Sequence, residues 1–350
     1  MKRILTLVLA LMLVVSCFAA MAEGELISVI SKGEQHAFWQ TCRKGCQDAA
    51  DAYGAELYYY GPPSESDISL QVEALNGEIQ KQPAAICLAA LSVDAVMGQM
   101  QQCADLNIPV IGFDSGVPGA PEGSVRATAC TDNQAAAAMA ADKIYEQEGV
   151  AEAIAAATAE DPFVIGLMVQ DVTSDSVTSR ATGFVNHMVE LVSPVNTISV
   201  VGHDKWAAPV DDAAVIIQIA VPASTDITDM ANAASSLLNT AGLKAVFLSN
   251  EGVVNGFLAA TSTGADLAEG GIYGDLLVCG FDAGATQKNA IREGWFFGSV
   301  TQDPYHIGYY AVEMAIKAAR GEEVADKDTG AKWYNAENID DPDIAELVYD

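Results

Sequence analysis

A set of polar and aromatic residues falls just after a succession of short apolar runs. His36, Phe38 and Trp39 follow Leu26–Ile30, Asp114 follows Val110–Phe113, and Arg180 follows Phe163–Val169 after a loop. Asn250 and Glu251 follow Ala245–Leu248, Asp282 follows Phe281, Gln302 follows Thr301, and Asp132-Asn133 lie beyond a Gly/Pro-rich stretch. Carboxylates accept hydrogen bonds, amides both donate and accept, a guanidinium donates in a rigid fork, and aromatic rings offer a flat apolar face. Converging, these groups suit a polyhydroxylated ring. Covalent chemistry lacks its parts: no HExxH, GxSxG, P-loop or GxGxxG stands in the strand–turn–helix setting it needs. Ser115 lies beside Asp114 but one place off a nucleophile elbow, and the four histidines have no evident triad partners. Neither catalysis nor a metal or cofactor is expected.

Each position also has a bland reading. An aspartate after a strand often caps the next helix, and Asn250-Glu251 has the form of a cap followed by a first-turn acid. Phe38 and Trp39 would serve equally as core, and Arg180 as the partner of a surface carboxylate.

The elements that must position these residues are short. Strands are predicted at Leu26–Ile30, Glu56–Tyr60, Ala85–Ala90, Val110–Phe113, Phe163–Val169, Val215–Val221, Ala245–Leu248, Leu276–Phe281 and Gly298–Thr301. Their apolar runs are continuous rather than alternating, as in parallel sheets covered on both faces. Helical stretches separate them. From about Phe38 to Tyr53, Cys42, Cys46, Ala49, Ala50 and Tyr53 share one face, and Gly54 ends the helix. His306–Arg320 carries another apolar stripe, and Ala151–Ala159 lies within a plausible helix. The pattern implies right-handed βαβ units in α/β doubly wound sheets. Two sheets suit this many strands, with a boundary in Ser124–Asn133 and an acidic tail running along the surface to Asp350. In such sheets ligands bind beyond the carboxyl ends of the strands, where the residues named above lie.

The 350 residues are 51% hydrophobic and 18% charged, enough for two cores of ordinary size. Lys2 and Arg3 precede Ile4–Val15, apolar apart from Thr6, and a small-residue stretch follows to Ala22. Basic, apolar, small is the order of a secretory signal, expected here over residues 1–22. Ala20-Met21-Ala22 fits the cleavage site, although Val14-Val15-Ser16-Cys17 also has the form of a lipobox that would leave a lipoprotein at Cys17. An exported protein, in the periplasm or on the outer face of the cytoplasmic membrane, is the expectation. The net charge of −30, or −32 without Lys2 and Arg3, excludes nucleic-acid binding. Beyond the leader no apolar run reaches 18 residues, so the mature chain should not span a membrane. Cys42, Cys46, Cys87, Cys103, Cys130 and Cys279 form no CxxC pair and are expected to be mostly buried thiols.

Read together, these residues resemble the type 1 periplasmic binding proteins for sugars. The resemblance spans the mature chain and rests on His36-Ala37-Phe38-Trp39, Ile108 to Asp114, Thr131-Asp132-Asn133, Arg180 to Phe184, Val246 to Glu251, Gly280-Phe281-Asp282 and Gln302-Asp303-Pro304. It implies two doubly wound parallel-sheet lobes joined by a three-segment hinge. The N-terminal lobe would comprise 26–131 plus 304–328, and the C-terminal lobe 132–303 plus 329–350. Phe38 and Trp39 would stack on the sugar. Asp114, Arg180, Asn250, Asp282 and Gln302 would bind its hydroxyls. His36 is a weaker candidate, and Asn133 marks the first crossing in a role that is ligand-binding or structural. The implied partners are a small neutral carbohydrate and an ABC permease and ATPase, with the protein itself a monomer. Two departures stand out: ribose binders of the family have arginine where this chain has Ser115, and an aromatic expected near Thr225 is missing. Arg180 is then the one expected cation against Asp114, Asp282 and nearby Glu251. A lac-repressor-type regulator would need a basic helix-turn-helix where the leader stands. A ligand-sensing partner of a membrane receptor, or a binder of a polyol or furanone-type signal, is the serious alternative.

Overall fold

The structure, a computed structural model, describes residues 24–349. The expected leader, including Cys17, and the terminal Asp350 lie outside the described residues.

The chain first lays down β1 (Leu26–Ile30), α1 (Ala37–Tyr53), β2 (Glu56–Tyr60), α2 (Ile68–Lys81), β3 (Ala85–Leu88), α3 (Val93–Leu106), β4 (Val110–Phe113) and β5 (Val125–Cys130). It then enters a second sheet with α4 (Asn133–Tyr145), α5 (Val150–Ala156), β6 (Phe163–Met168), α6 (Asp175–Val192), β7 (Ile198–Val201) and β8 (Val215–Ala220). That half continues through α7 (Ile227–Leu238), β9 (Leu243–Leu248), α8 (Glu251–Ala260), β10 (Leu277–Phe281), α9 (Ala285–Arg292) and β11 (Gly298–Gln302). Next, α10 (Pro304–Ala319) packs back on α1, and β12 (Lys327–Asp328) joins the first sheet. Finally β13 (Ala331–Tyr334) joins the second, and α11 (Pro342–Ala345) follows. The chain therefore passes between sheets after Cys130, after Gln302 and after Asp328.

The first sheet runs β12-β5-β4-β3-β1-β2 with every neighbouring pair parallel. The second runs β13-β11-β10-β9-β6-β8-β7, with only β13 antiparallel to its neighbour. Two parallel-sheet lobes follow, as the continuous apolar runs imply: every residue of β3, β4 and β6 is buried. Side-chain caps start several of the helices. Asp132 accepts from the Ala135 N–H at 3.0 Å, Asn250 from Val253 at 3.2 Å, and Asp303 from His306 at 3.0 Å ahead of Pro304. Two glycines let α1 and α10 touch backbone to backbone. A Cβ on Gly45 would lie 2.0 Å from the Tyr305 carbonyl oxygen, and one on Gly308 2.0 Å from that of Cys42.

Four strands were not foreseen: β5, β7, β12 and β13. The segment expected as a boundary, Ser124–Asn133, is mostly strand β5, and the chain crosses only after it. The tail also departs from its expected course along the surface. Tyr334, Ile339, Ile344 and Tyr349 are buried, and such apolar burial contributes about 1.5–3 kcal/mol for each large side chain. The six cysteines within 24–349 are free, five of them buried.

Candidate ligand-binding site

The carboxyl ends of the two sheets face each other across a cavity with about 340 Å³ of empty space, open in part to solvent. One wall comes from Lys32 after β1, His36, Phe38 and Trp39 at the start of α1, Glu65 after β2 and Asp114 after β4. The other comes from Ser176, Val177 and Arg180 on α6, Asn250 and Glu251 at the start of α8, Asp282 after β10 and Gln302 at the end of β11. All the expected site residues line this space except Asn133, which stands behind Arg180 and holds it.

The first wall is built on an ion pair. Asp114 has a left-handed backbone (φ 56°), which aspartate tolerates better than most residues, and its N–H donates to the Ala129 carbonyl of β5 at 3.0 Å. Its Oδ2 lies 2.8 Å from Lys32 Nζ, and both groups are buried. Lys32 also donates to Ser176 Oγ on the opposite wall at 3.0 Å. Burial alone would push the Lys32 ammonium down, but Asp114 and Glu65 outweigh it and hold the pKa above the usual lysine value. Glu65 accepts from Trp39 Nε1 at 2.7 Å and, across the cavity, from Gln170 Nε2 at 2.6 Å. Burial works to raise its pKa, yet His36, Lys32 and these two donors bring it below the ordinary glutamate value. Trp39 stands edge-on to Phe38 at 5.0 Å and to Phe113 at 6.2 Å between ring centroids.

The second wall is built on hydrogen bonds. Asp282 repeats the left-handed backbone (φ 77°), and its N–H donates to Val300 of β11 at 2.8 Å. Gln302 Nε2 donates to its Oδ1 at 2.7 Å and the Glu251 N–H to its Oδ2 at 3.0 Å. Burial raises the Asp282 pKa, and Arg180 only partly offsets this. Arg180 is clamped: Nε and Nη2 donate to Asn133 Oδ1 at 3.2 and 2.8 Å, Nη1 to the Ser249 carbonyl at 2.5 Å, and its guanidinium carbon sits 3.5 Å from the Phe281 ring centre. Asn250, the α8 cap, donates to Gln170 Oε1 at 2.8 Å. Two buried acceptors on this wall, Glu251 Oε2 and Gln302 Oε1, have no protein partner.

Sequence reasoning missed Lys32, Glu65, Gln170 and Ser176. The expectation of a single cation is therefore corrected: Lys32 delivers from β1 a positive charge to Asp114, the charge that Ser115 cannot supply. A lysine beside Gly33 reads as a loop residue, and its place at the end of β1 was the available signal. Thr225 bonds Ser64 and Ser66, on either side of Glu65, through its hydroxyl at 3.2 and 3.1 Å. Among the described residues no group of three His, Cys, Asp or Glu is placed to hold a metal, and no helix is long and apolar enough to cross a membrane.

Comparisons with known proteins agree with this architecture. Residues 27–323 match the family described as periplasmic binding protein domain. A solved structure from Brachyspira murdochii, described as an ABC transporter, LacI family transcriptional regulator, is 41% identical with a TM-score of 0.77, covering 93% of this chain and 99% of that one. The ribose import binding protein of Salmonella typhimurium is 24% identical over 93% of this chain and 96% of its own length. An Agrobacterium vitis ABC transporter solute binding protein with bound D-fucose is 24% identical, covers 93% of this chain and 100% of that one, and shares the fold with a TM-score of 0.75. The chain belongs to the periplasmic binding protein family, whose members bind ligands rather than transform them.

Proposed function

We propose that this protein captures a small neutral carbohydrate between its two lobes and delivers it to an ABC importer. The observation that carries the reading is the state of the charges in the cavity. Asp114 is neutralised by Lys32, and Arg180 is held by amide and carbonyl oxygens rather than left to seek an anion. An anionic ligand would meet Glu65, Asp114, Glu251 and Asp282, and an unpaired buried charge costs several kcal/mol. Hydroxyls can instead donate to these carboxylates while Trp39 and Phe38 cover an apolar ring face. Relatives named for ribose import and for bound D-fucose support the same class of ligand.

In this reading the lobes are 26–131 with 304–328, and 132–303 with 329–350, hinged where the chain passes between sheets. The protein works as an exported monomer, released from its leader or anchored at Cys17, and hands its ligand to a permease and ATPase. A thermal-shift panel of D-ribose, D-allose, D-fucose, D-arabinose and D-glucose against sugar acids and sugar phosphates tests the ligand class. At a hundredfold excess over Kd, a binder stabilises by about 2.7 kcal/mol. Only the neutral sugars should shift the midpoint. A shift confined to uronates or phosphates refutes the reading. Scattering with the best sugar should show a smaller radius of gyration than without it.

A further inference from the structure

One of the carboxyls that faces the ligand space stands apart from the others. Glu251 opens α8, its backbone N–H donates to Asp282, and its side chain is only 11% exposed. Its Oε1 lies 3.9 Å from His36 Nδ1, while Oε2 meets no donor in the protein. The carboxyl lies beside Gly284, where an added Cβ would come within 2.5 Å of Oε1. Beside it, Gln302 Oε1 is likewise buried without a partner, on the far side of Asp282. The two free acceptors therefore flank Asp282 along one edge of the cavity.

We propose that Glu251 is a ligand-contacting residue that accepts a hydroxyl hydrogen through Oε2, and that ligand binding expels a proton from its carboxyl. The proposal rests on the neutral-sugar reading, since it needs a hydroxyl donor at this edge. Glu251 faces His36 from the segment before α1, Glu65 from the loop after β2, Asp282 from the end of β10, Tyr334 from β13 and Tyr349 from the tail. Burial, with the negative charges of Asp282 and Glu65, pushes the carboxyl up to about 7, while His36 and the Phe38 N–H pull the other way. A buried carboxylate oxygen without a donor favours the protonated form. A hydroxyl delivered to that oxygen makes a charge-assisted bond and favours the anion. The proton leaves to buffer, and no other bond changes.

The sign follows from linkage. Below pH 7 the free protein carries a proton that the complex lacks, so affinity must rise with pH and level off above it. The probe is whichever of D-ribose, D-allose, D-fucose, D-arabinose and D-glucose gives the largest thermal shift. Calorimetric titration at pH 6, 7 and 8, in phosphate and in Tris, reads Kd and the protons released through the difference in buffer heat. The wild-type protein should tighten about tenfold from pH 6 to pH 8 and release a proton fraction near one half at pH 7. Glu251→Gln should bind with the same Kd at all three values. His36→Gln should keep the pH dependence, which separates Glu251 from the imidazole. Constant wild-type affinity, proton uptake, or a pH dependence lost with His36 but kept in Glu251→Gln overturns the proposal. The wild-type buffer-heat measurement decides even if a variant fails to fold. Binding by none of these sugars at any pH would instead overturn the neutral-sugar reading itself.

Discussion

The two walls of the cavity are made from the same local device and finished differently. Gly112-Phe113-Asp114 ends β4 and Gly280-Phe281-Asp282 ends β10. In both, the aspartate turns left-handed and donates its N–H to the neighbouring strand. Both glycines sit under a side chain a Cβ would strike, Thr128 in one sheet and Gln287 in the other. Then the walls diverge. Phe113 backs Trp39 and Asp114 takes a full cation, whereas Phe281 backs Arg180 and Asp282 takes only an amide and a backbone N–H. Asp114 thus has its charge met by a direct ion pair before any ligand arrives, whereas Asp282 has a hydrogen bond on each oxygen but no direct cation. The first aspartate should matter for stability and the second for binding.

The largest effect should come from breaking the satisfied side. Asp114→Ala leaves Lys32 buried without its partner and should cost about 3–5 kcal/mol in the unliganded protein, read from urea unfolding. Adding Lys32→Met should recover much of this. If Asp114→Ala costs under 1 kcal/mol, the contrast between the walls fails.

A smaller effect concerns pH and the second wall. Glu251, held near 7 in the folded state against about 4.3 when unfolded, is protonated where the unfolded chain is not. Unliganded stability should therefore be greatest below the unfolded pKa. It should fall by about 3 kcal/mol as pH rises through the window to 7, then level off. Glu251→Gln should remove that part of the slope, and an unchanged stability–pH curve in the variant would count against this assignment.

Asp282→Asn should leave unliganded stability within about 1 kcal/mol of wild type yet weaken sugar binding by about 1.5–3 kcal/mol, the worth of hydrogen bonds to a charged group. Calorimetry checks it. A stability loss as large as that of Asp114→Ala would erase the distinction. Smallest of all, Trp39→Phe keeps the ring face but removes the donor to Glu65, and should cost about 1–3 kcal/mol by leaving that acceptor short of a bond. A melting curve suffices to see it.

Much of this was legible in the chain. Phe38, Trp39, Asp114, Arg180, Asn250, Asp282 and Gln302 follow predicted strands and meet in one cavity, because a parallel sheet sends every carboxyl end to the same side. What could not be read depends on contacts across the fold. Glu65 sits in a Pro/Ser-rich loop that looks solvated, and only the meeting of two sheets brings Trp39 and Gln170 to its oxygens. Strand β5 alternates between buried and half-buried residues and carries Arg126, so its apolar content falls below that of its neighbours. Strands β12 and β13 are two and four residues long and exist through pairing with edges. Asn133 shows the converse: the sequence marks the position, but its work is to aim Arg180.

The tail backs a wall of the cavity in a way that bears on the order of assembly. Tyr349 lies 6.2 Å from Phe38 between ring centroids, and its hydroxyl accepts from the Ala283 N–H at 3.3 Å. Phe38 and Tyr349 stand 311 positions apart in the chain, and contacts of such span form late because their loop entropy must be met before they give any return. Both sheets can therefore be complete while the pocket is not. A chain caught at that stage would look folded by its backbone yet be blind to its ligand. The gain of binding after the gain of structure would time the arrival of the tail.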